Sequence, residues 1–180
     1  MLSVRFATLI CMTMATAATR LLPHPPNLTP IAAMALFGGA HFASPLAAFA
    51  VPLSAMVVSD VLLGFGLDRV MPFVYGSFVF TVWLGRWLRG RRSPLAIALA
   101  AVSASLVFFV VTNLGVWLAG DLYSRTLDGL VICYIAAIPF FGNTLAGDAF
   151  YTVVLFGGFA LGQRYVAALR ERGLPALESP

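Results

Sequence analysis

Charged residues are scarce in this chain of 180 residues: they make up 10% of it, whereas hydrophobic residues make up 61% and the mean hydropathy is +0.94. Soluble domains carry roughly 25% charged and 45–50% apolar residues. The composition therefore excludes an ordinary soluble domain and predicts an all-α, polytopic membrane protein. About six transmembrane helices of roughly 20 residues, joined by short loops, account for the length. We expect a single integral membrane domain over residues 1–180.

Other absences narrow the function. The basic residues are all arginine, and no basic run alternates with aromatic residues, so nothing indicates a nucleic-acid partner. Cys11 and Cys133 lie in apolar stretches and predict no disulfide framework. The chain has no His-Glu-x-x-His motif and no phosphate-binding loop of the Walker type. His24, His41 and Cys133 are possible metal ligands, but they fall in separate parts of the chain. We therefore expect no enzyme, no cofactor and no metal site.

Apolar stretches locate the expected spans. They cover residues 3–19, 31–42, 46–67, 73–88, 95–118 and 144–163. The stretch 31–42 is short, and a further apolar stretch at 130–141 stops at Pro139 and Gly142. Whether these two cross the membrane fully stays open. Asn143 is expected to cap the last helix.

The first stretch permits two interpretations. Arg5 followed by an apolar run resembles a signal peptide. Small residues also occur at every fourth position, and this spacing lets helix backbones approach closely within a membrane. A signal peptide does not need such a stripe, so we favour a retained helix that packs on another helix. The stripe consists of Ser3, Ala7, Cys11, Ala15 and Thr19.

Arginine placement predicts the orientation, because arginines in short loops mark the cytoplasmic side of a membrane. The strongest basic cluster comprises Arg86, Arg89, Arg91 and Arg92, and Arg164, Arg170 and Arg172 follow the last span. Both groups should lie inside. An even number of spans then places the N-terminus, with Arg5, inside as well. We expect a multi-pass protein of the inner (cytoplasmic) membrane with both termini cytoplasmic.

Residues 20–30 form a stiff break between two apolar stretches. Four prolines in this segment lack a backbone donor, and each pushes the preceding residue toward an extended conformation: Pro23, Pro25, Pro26 and Pro30. In the predicted topology the segment lies outside. We interpret it as a preformed roof that presents His24 and Asn27 to a binding site. The alternative is a connector in which His24 is only capped or solvated.

Polar residues converge on the outer half of the predicted spans. An ionisable side chain inside a membrane costs at least ~2.5–3.5 kcal/mol and usually faces a cavity or a partner. Asp60 and Asp148 on separate helices therefore support an outward-facing polar pocket. Structural alternatives stay open: Asp60 or Asp148 could pair with Arg20, Arg125 or a helix end, and Trp117 could anchor the interface. The predicted substrate-binding residues are His24, Asn27, Asp60, Asn113, Trp117, Asn143 and Asp148.

This pattern resembles the substrate-binding S components of energy-coupling-factor vitamin transporters, which are small six-helix membrane proteins. Three runs also resemble an uncharacterised family of small bacterial membrane proteins: Asn27-Leu-Thr-Pro-Ile-Ala-Ala-Met-Ala-Leu-Phe-Gly-Gly-Ala40, Thr112-Asn-Leu-Gly-Val-Trp117 and Ile138-Pro-Phe-Phe-Gly-Asn-Thr-Leu-Ala-Gly-Asp148. The S-component resemblance implies that the first helix docks on a transmembrane coupling subunit through Ala7, Cys11 and Ala15. It also implies a substrate pocket on the outer side.

The resulting functional expectation is a membrane subunit for uptake of a small vitamin-like solute. The chain has no ATP-binding motif, so energy has to come from partner ATPases, unless the protein works alone. Two alternatives stay open. One is a small intramembrane enzyme that uses Asp60 or Asp148 as acid or base. The other is a structural or assembly protein of the membrane that has no ligand.

Overall fold

The computed structural model describes residues 3–66 and 68–170, and all regular structure in them is helical. The all-α prediction is confirmed for this part of the chain. The helices are α1 (Val4–Ala18), α2 (Ile31–His41), α3 (Pro45–Leu62), α4 (Met71–Trp87), α5 (Pro94–Ala119), α6 (Leu127–Thr152) and α7 (Gly158–Tyr165). A π-helical turn, Val153–Gly157, joins α6 to α7 without a break. Arg172 of the predicted cytoplasmic group lies outside the described residues.

Local signals explain where α3 and α5 begin. The hydroxyl of Ser44 accepts a hydrogen bond from the backbone N–H of Ala47, and Ser93 caps α5 in the same way. Proline occupies the first position of both helices, where its missing N–H removes no intrahelical bond. α3 ends earlier than the predicted stretch 46–67, because Gly64 adopts φ +75° just beyond Leu62. Position 67 lies outside the described residues.

Three helices in the described residues are long and apolar enough to cross a membrane. They are Pro45–Leu62, Pro94–Ala119 and the continuous helix Leu127–Tyr165. α2 is apolar but has only 11 residues. At 1.5 Å per residue it is about 16 Å long, roughly half of a 30 Å hydrocarbon core.

The expected division of the last apolar region is wrong. The sequence predicted a stretch that stops at Pro139 and Gly142 and a new helix capped by Asn143, whereas α6 runs through all three positions. Thr126 caps this helix instead, accepting from the N–H of Gly129. Pro139 removes one intrahelical hydrogen bond, but such losses are tolerated in apolar helices whose neighbours compensate.

α2 is the central helix of the fold, because all of its 11 residues are buried. It packs most extensively on α4, and two glycines make this packing possible. A Cβ atom on Gly39 would lie 2.3 Å from the carbonyl oxygen of Val82, and one on Gly85 would lie 2.3 Å from that of Leu36. The backbones of α2 and α4 are therefore in direct contact.

The proline segment leads into α2 without an α-helix: it starts in a short 3-10 turn, Thr19–Leu21, and is irregular from there to Pro30. Arg20 is buried next to Asp60, near the end of α3. Pro26 is held by the side chain of Asn143, and Leu28 and Thr29 lie against Gly147, one residue before Asp148. The segment thus follows α6 toward the start of α2. Asn27 adopts φ +63°, a conformation that asparagine tolerates better than most residues.

Candidate functional site

Asp148 is the most deeply placed acidic side chain of α6. It is 4% exposed, and its Oδ2 accepts a hydrogen bond of 2.6 Å from the hydroxyl of Ser105 on α5. The carboxylate also accepts from the backbone N–H of Ala33. Ala33 is the third residue of α2, so Asp148 caps the N-terminal end of this short helix and complements its dipole. Three helices therefore meet at one carboxylate.

A groove between α5 and the α6–α7 helix leads to this carboxylate. Its volume is about 460 Å³, within the usual range for small-molecule pockets. We call it the Asp148 groove, and it is lined by Arg92, Pro94, Ile97, Ala98, Ala101, Val102, Ser105, Leu145, Asp148, Ala149, Thr152, Val153, Phe156, Gly157 and Ala160. Apolar side chains form most of the wall, while Arg92, Ser105, Asp148 and Thr152 are polar or charged.

Thr152 supplies an unused hydrogen-bonding group to the groove. It lies one turn after Asp148 on the same face of α6 and is 6% exposed. Its Oγ1 has no hydrogen-bond partner among the described residues. A buried hydroxyl without a partner is costly, so this position is suited to a ligand group or a bound water molecule. The π-helical turn begins at the next residue, and such turns frequently occur at functional sites.

A family model covers nearly the whole chain. The family of unknown function DUF6580 matches residues 1–169. The chain belongs to this family. No curated protein and no solved structure gives a match.

Asp60 lies in a different place in the DUF6580 fold. Its Oδ1 is 2.7 Å from Nη2 of Arg20, and its Oδ2 accepts a hydrogen bond of 2.8 Å from the hydroxyl of Tyr75. Arg20 also donates to the hydroxyl of Ser59. The pairing with Arg20 that the sequence left open is the one that forms. Asp60 also lines a separate cleft of about 560 Å³ between the facing ends of α3 and α4.

The other predicted site residues make local contacts away from the groove. Asn113 Nδ2 donates to the carbonyl of Phe109, one turn back in α5, at 2.7 Å. Trp117 Nε1 donates to the carbonyl of Ser124 at 2.9 Å and so fastens the α5–α6 loop. These contacts stabilise a helix and a loop, respectively.

The proline segment is likewise held by local contacts. Asn143 Nδ2 donates to the carbonyl of Pro26 at 2.9 Å. His24 Nδ1 lies 2.7 Å from the carbonyl oxygen of Leu22, and both His24 and Asn27 are exposed. Neither residue lines the Asp148 groove or the Asp60 cleft.

The structure therefore does not bring the seven predicted residues together. Asp148 lines the groove, Asp60 lines the cleft, and the rest line neither. The physical reason is the continuous α6 helix. Because it starts at Leu127, Asp148 lies about 30 Å along the helix rather than one turn from its start. A different set of neighbours, Ser105 and Thr152, accompanies it.

The sequence spacing indicates one of these neighbours, Thr152, but it does not indicate Ser105. Thr144, Asp148 and Thr152 follow each other at intervals of four, and all three are buried, so one polar face of α6 is readable from spacing. Ser105 is one of two serines in the apolar helix α5. Only the packing of α5 on α6 selects it from Ser103, which is exposed.

Proposed function

We propose that this DUF6580 protein is a multi-pass protein of the inner (cytoplasmic) membrane, with α1 beginning and α7 ending on the cytoplasmic side. The distribution of arginine supports this orientation. Arg5 donates to the carbonyls of Leu169 and His41, and Arg86 donates to that of Phe42, so the basic residues gather at one end of the bundle. That end holds Arg5, Arg86, Arg89, Arg91, Arg92, Arg164 and Arg170. Arg20, Arg69 and Arg125 lie toward the other end.

In this topology the second of the six crossings combines two kinds of structure. The extended segment up to Pro30 covers the outer half, and α2 covers the inner half. Non-helical backbone at membrane depth is tolerated only where it is buried in protein or lines a wet cavity. Transporters place ligand sites at such broken helices, with the dipole of the half-helix directed at the site. Asp148 occupies this position at the start of α2.

We further propose that the protein is the substrate-binding subunit of an uptake system for a small vitamin-like solute, which binds in the Asp148 groove. The observation that supports this proposal is the unpartnered hydroxyl of Thr152 beside a buried carboxylate. Asp148 uses two of its roughly four acceptor positions on Ser105 and Ala33. Together with Thr152 it can accept from and donate to a ligand hydroxyl or amide group.

Replacing Asp148 with asparagine tests the proposal. We expect a ligand that co-purifies with the wild-type protein to bind at least about tenfold more weakly to D148N, because a charge-assisted hydrogen bond contributes about 1.5–3 kcal/mol. Native mass spectrometry of protein released from its own membrane identifies the ligand. Its effect on the melting temperature then gives the affinity, since ligand at one hundred times Kd adds about 2.7 kcal/mol of stability.

The matched control is Asp128→Asn, which removes an exposed carboxylate from the first turn of the same helix. It should bind the ligand like the wild type. Equal binding by D148N and D128N would argue against the groove as the site. Absence of any bound small molecule in the native spectrum would contradict the proposed function itself.

The exposed face of α1 supports the proposal that the protein binds a partner subunit. Ala7, Cys11 and Ala15 are all exposed, so these three positions of the small-residue stripe are accessible to a second protein. We propose that a transmembrane coupling subunit with ATPases docks there.

Tagged wild-type protein from native membranes should carry ATPase activity, and the variant with leucine at all three positions should lose it. Ala136→Leu, at an exposed alanine of α6, is the control. ATPase activity that persists in the triple variant would exclude this face.

A further inference from the structure

The two buried aspartates of the helices differ in whether they have a countercharge. Asp60 lies 2.7 Å from Nη2 of Arg20 and is neutralised by it. Asp148 pairs with no arginine in the part of the chain that the structure describes. Its hydrogen-bond donors there are the hydroxyl of Ser105 and the backbone N–H of Ala33, which are both neutral. The start of α2 contributes roughly half of a positive charge, so a net negative charge remains at the apolar groove.

Thr152 is the exception among the buried threonines. The others each donate their hydroxyl to the carbonyl oxygen one turn back in their helix: Thr13, Thr16, Thr81, Thr112 and Thr144. Oγ1 of Thr152 makes no hydrogen bond within the described residues, although α6 supplies a carbonyl one turn back at Asp148. Because Thr152 lines the groove, its oxygen is an acceptor for a ligand there.

The spacing of Asp148 and Thr152 lets one nitrogen atom contact both. Side chains four residues apart on a helix have Cβ atoms about 5–6 Å apart. A nitrogen that donates over about 2.9 Å to each of two oxygens bridges a gap of up to about 6 Å. A primary ammonium group has three donors and no acceptor. It satisfies both oxygens and also supplies the missing positive charge, whereas a ligand hydroxyl or amide supplies only the hydrogen bonds.

We propose that the Asp148 groove binds a small apolar primary amine, whose ammonium group donates to Asp148 and Thr152. This inference rests on the proposed function and names the substrate class for the same site. The apolar wall holds the rest of the ligand, which extends along α5 toward Ile97 and along α6 toward Phe156. An anion of the same shape is excluded, because the carboxylate of Asp148 repels it.

The test uses a photoreactive benzylamine that carries a trifluoromethyl-diazirine at the para position, with the full-length protein in a neutral maltoside detergent. The rigid ring holds the diazirine a little more than one helix turn from the nitrogen. After illumination, peptide mapping should therefore find the label on the stretches 97–102 and 153–157, which contribute to the groove wall. Labelling confined to other helices would overturn the placement of the amine.

Three competitors with one carbon skeleton separate charge from shape. We expect 4-phenylbutylamine to suppress the labelling. 4-Phenylbutan-1-ol should need a concentration about tenfold higher or more, because it lacks the charge, and 4-phenylbutanoate should compete least. Equal competition by the amine and the alcohol would overturn the ammonium assignment.

Asp148→Asn keeps the shape of the side chain and removes its charge. It should abolish the preference for the amine over the alcohol, and this ratio does not depend on partitioning into detergent or on a general loss of stability. Asp128→Asn, at the exposed start of the same helix, should keep the preference. An equal preference in D148N and D128N would overturn the role of Asp148.

Thr152→Val replaces the hydroxyl by a methyl group of similar size. Competition by the amine should weaken at least about threefold. The melting temperature of the ligand-free protein should stay the same or rise, because the lost hydroxyl had no partner. Thr144→Val removes a hydroxyl that already donates to Phe140 and should leave competition unchanged. Unchanged competition in T152V would overturn the role of Thr152.

The outcomes distinguish this inference from the proposed function. If the amine has no advantage over the alcohol, but native mass spectrometry finds a ligand that D148N loses, the substrate class is wrong and the site is retained. If the probe does not label the groove and the native spectrum shows no ligand, both proposals fail.

Discussion

Asp60→Asn is expected to lower the free energy of unfolding by about 3–5 kcal/mol, because it leaves the guanidinium of Arg20 buried without its countercharge. Arg20 is 7% exposed, and its Nη2 lies 2.7 Å from Oδ1 of Asp60. Tyr75 and Ser59 complete the cluster with further hydrogen bonds. A loss of this size corresponds to a decrease in the melting temperature on the order of 10 °C for a domain of this length. Unfolding in maltoside micelles, followed by circular dichroism, measures it.

A double replacement shows whether the loss comes from the uncompensated charge. Arg20→Met combined with Asp60→Leu removes both charges, and we expect it to recover most of the stability that either single replacement loses. Asp68→Asn, at an exposed position beyond the end of α3, should change stability by less than about 0.5 kcal/mol. If the double variant loses the sum of the two single losses, the pair is not coupled.

The same variant bears on the predicted role of Asp60. Both of its oxygens already have partners within the chain, so we expect a stability effect and no direct loss of ligand contact. An Asp60→Asn protein that melts like the wild type but no longer binds its ligand would return Asp60 to the binding site. That result would favour the cleft between α3 and α4 over the Asp148 groove.

Most helix positions could be predicted from the sequence because their signals are local. Serine and proline mark the beginnings of α3 and α5, and Gly64 marks the end of α3. The prediction for the region after residue 130 was wrong because Pro139 and Gly142 are also local signals, which normally end a helix. α6 is nevertheless continuous across both positions, which are exposed. A helix in lipid has to satisfy its backbone groups within the segment, and this effect of the surroundings is not contained in the local sequence signals.

The candidate site was less predictable than the fold. An aspartate inside an apolar helix carries a high free-energy cost and usually has a functional or structural reason, so Asp60 and Asp148 could both be selected from the sequence as candidate site residues. Their partners could not be chosen with the same certainty, because Arg20, Ser105 and Ala33 come from distant parts of the chain. The inference that two aspartates at similar depth share one pocket fails for the same reason. One is neutralised by an arginine, and the other is placed at a helix end.

The site depends on α2, since Asp148 holds the first turn of this helix and α4 holds its last turn. The contact with α4 has no room for a side chain. A Cβ on Gly85 would lie 2.3 Å from the carbonyl oxygen of Leu36 and 3.0 Å from the Cα of Gly39. Both obstacles are backbone atoms, which cannot turn away as a flexible side chain can. Relief requires a shift of the whole helix.

Gly85→Ala is therefore expected to destabilise the protein by about 1–3 kcal/mol, the usual cost of overpacking, although alanine favours a helix by about 1 kcal/mol over glycine. Gly76→Ala in the same helix is the matched control, because no atom lies within 4 Å of its new Cβ. There the helix preference acts alone, so stability should rise by up to about 1 kcal/mol. The opposite signs of two identical substitutions isolate the α2–α4 contact.

If G85A also displaces α2, ligand affinity at Asp148 should fall with stability, whereas in G76A it should stay unchanged. Equal stability changes in both variants would show that the two backbones are not in contact.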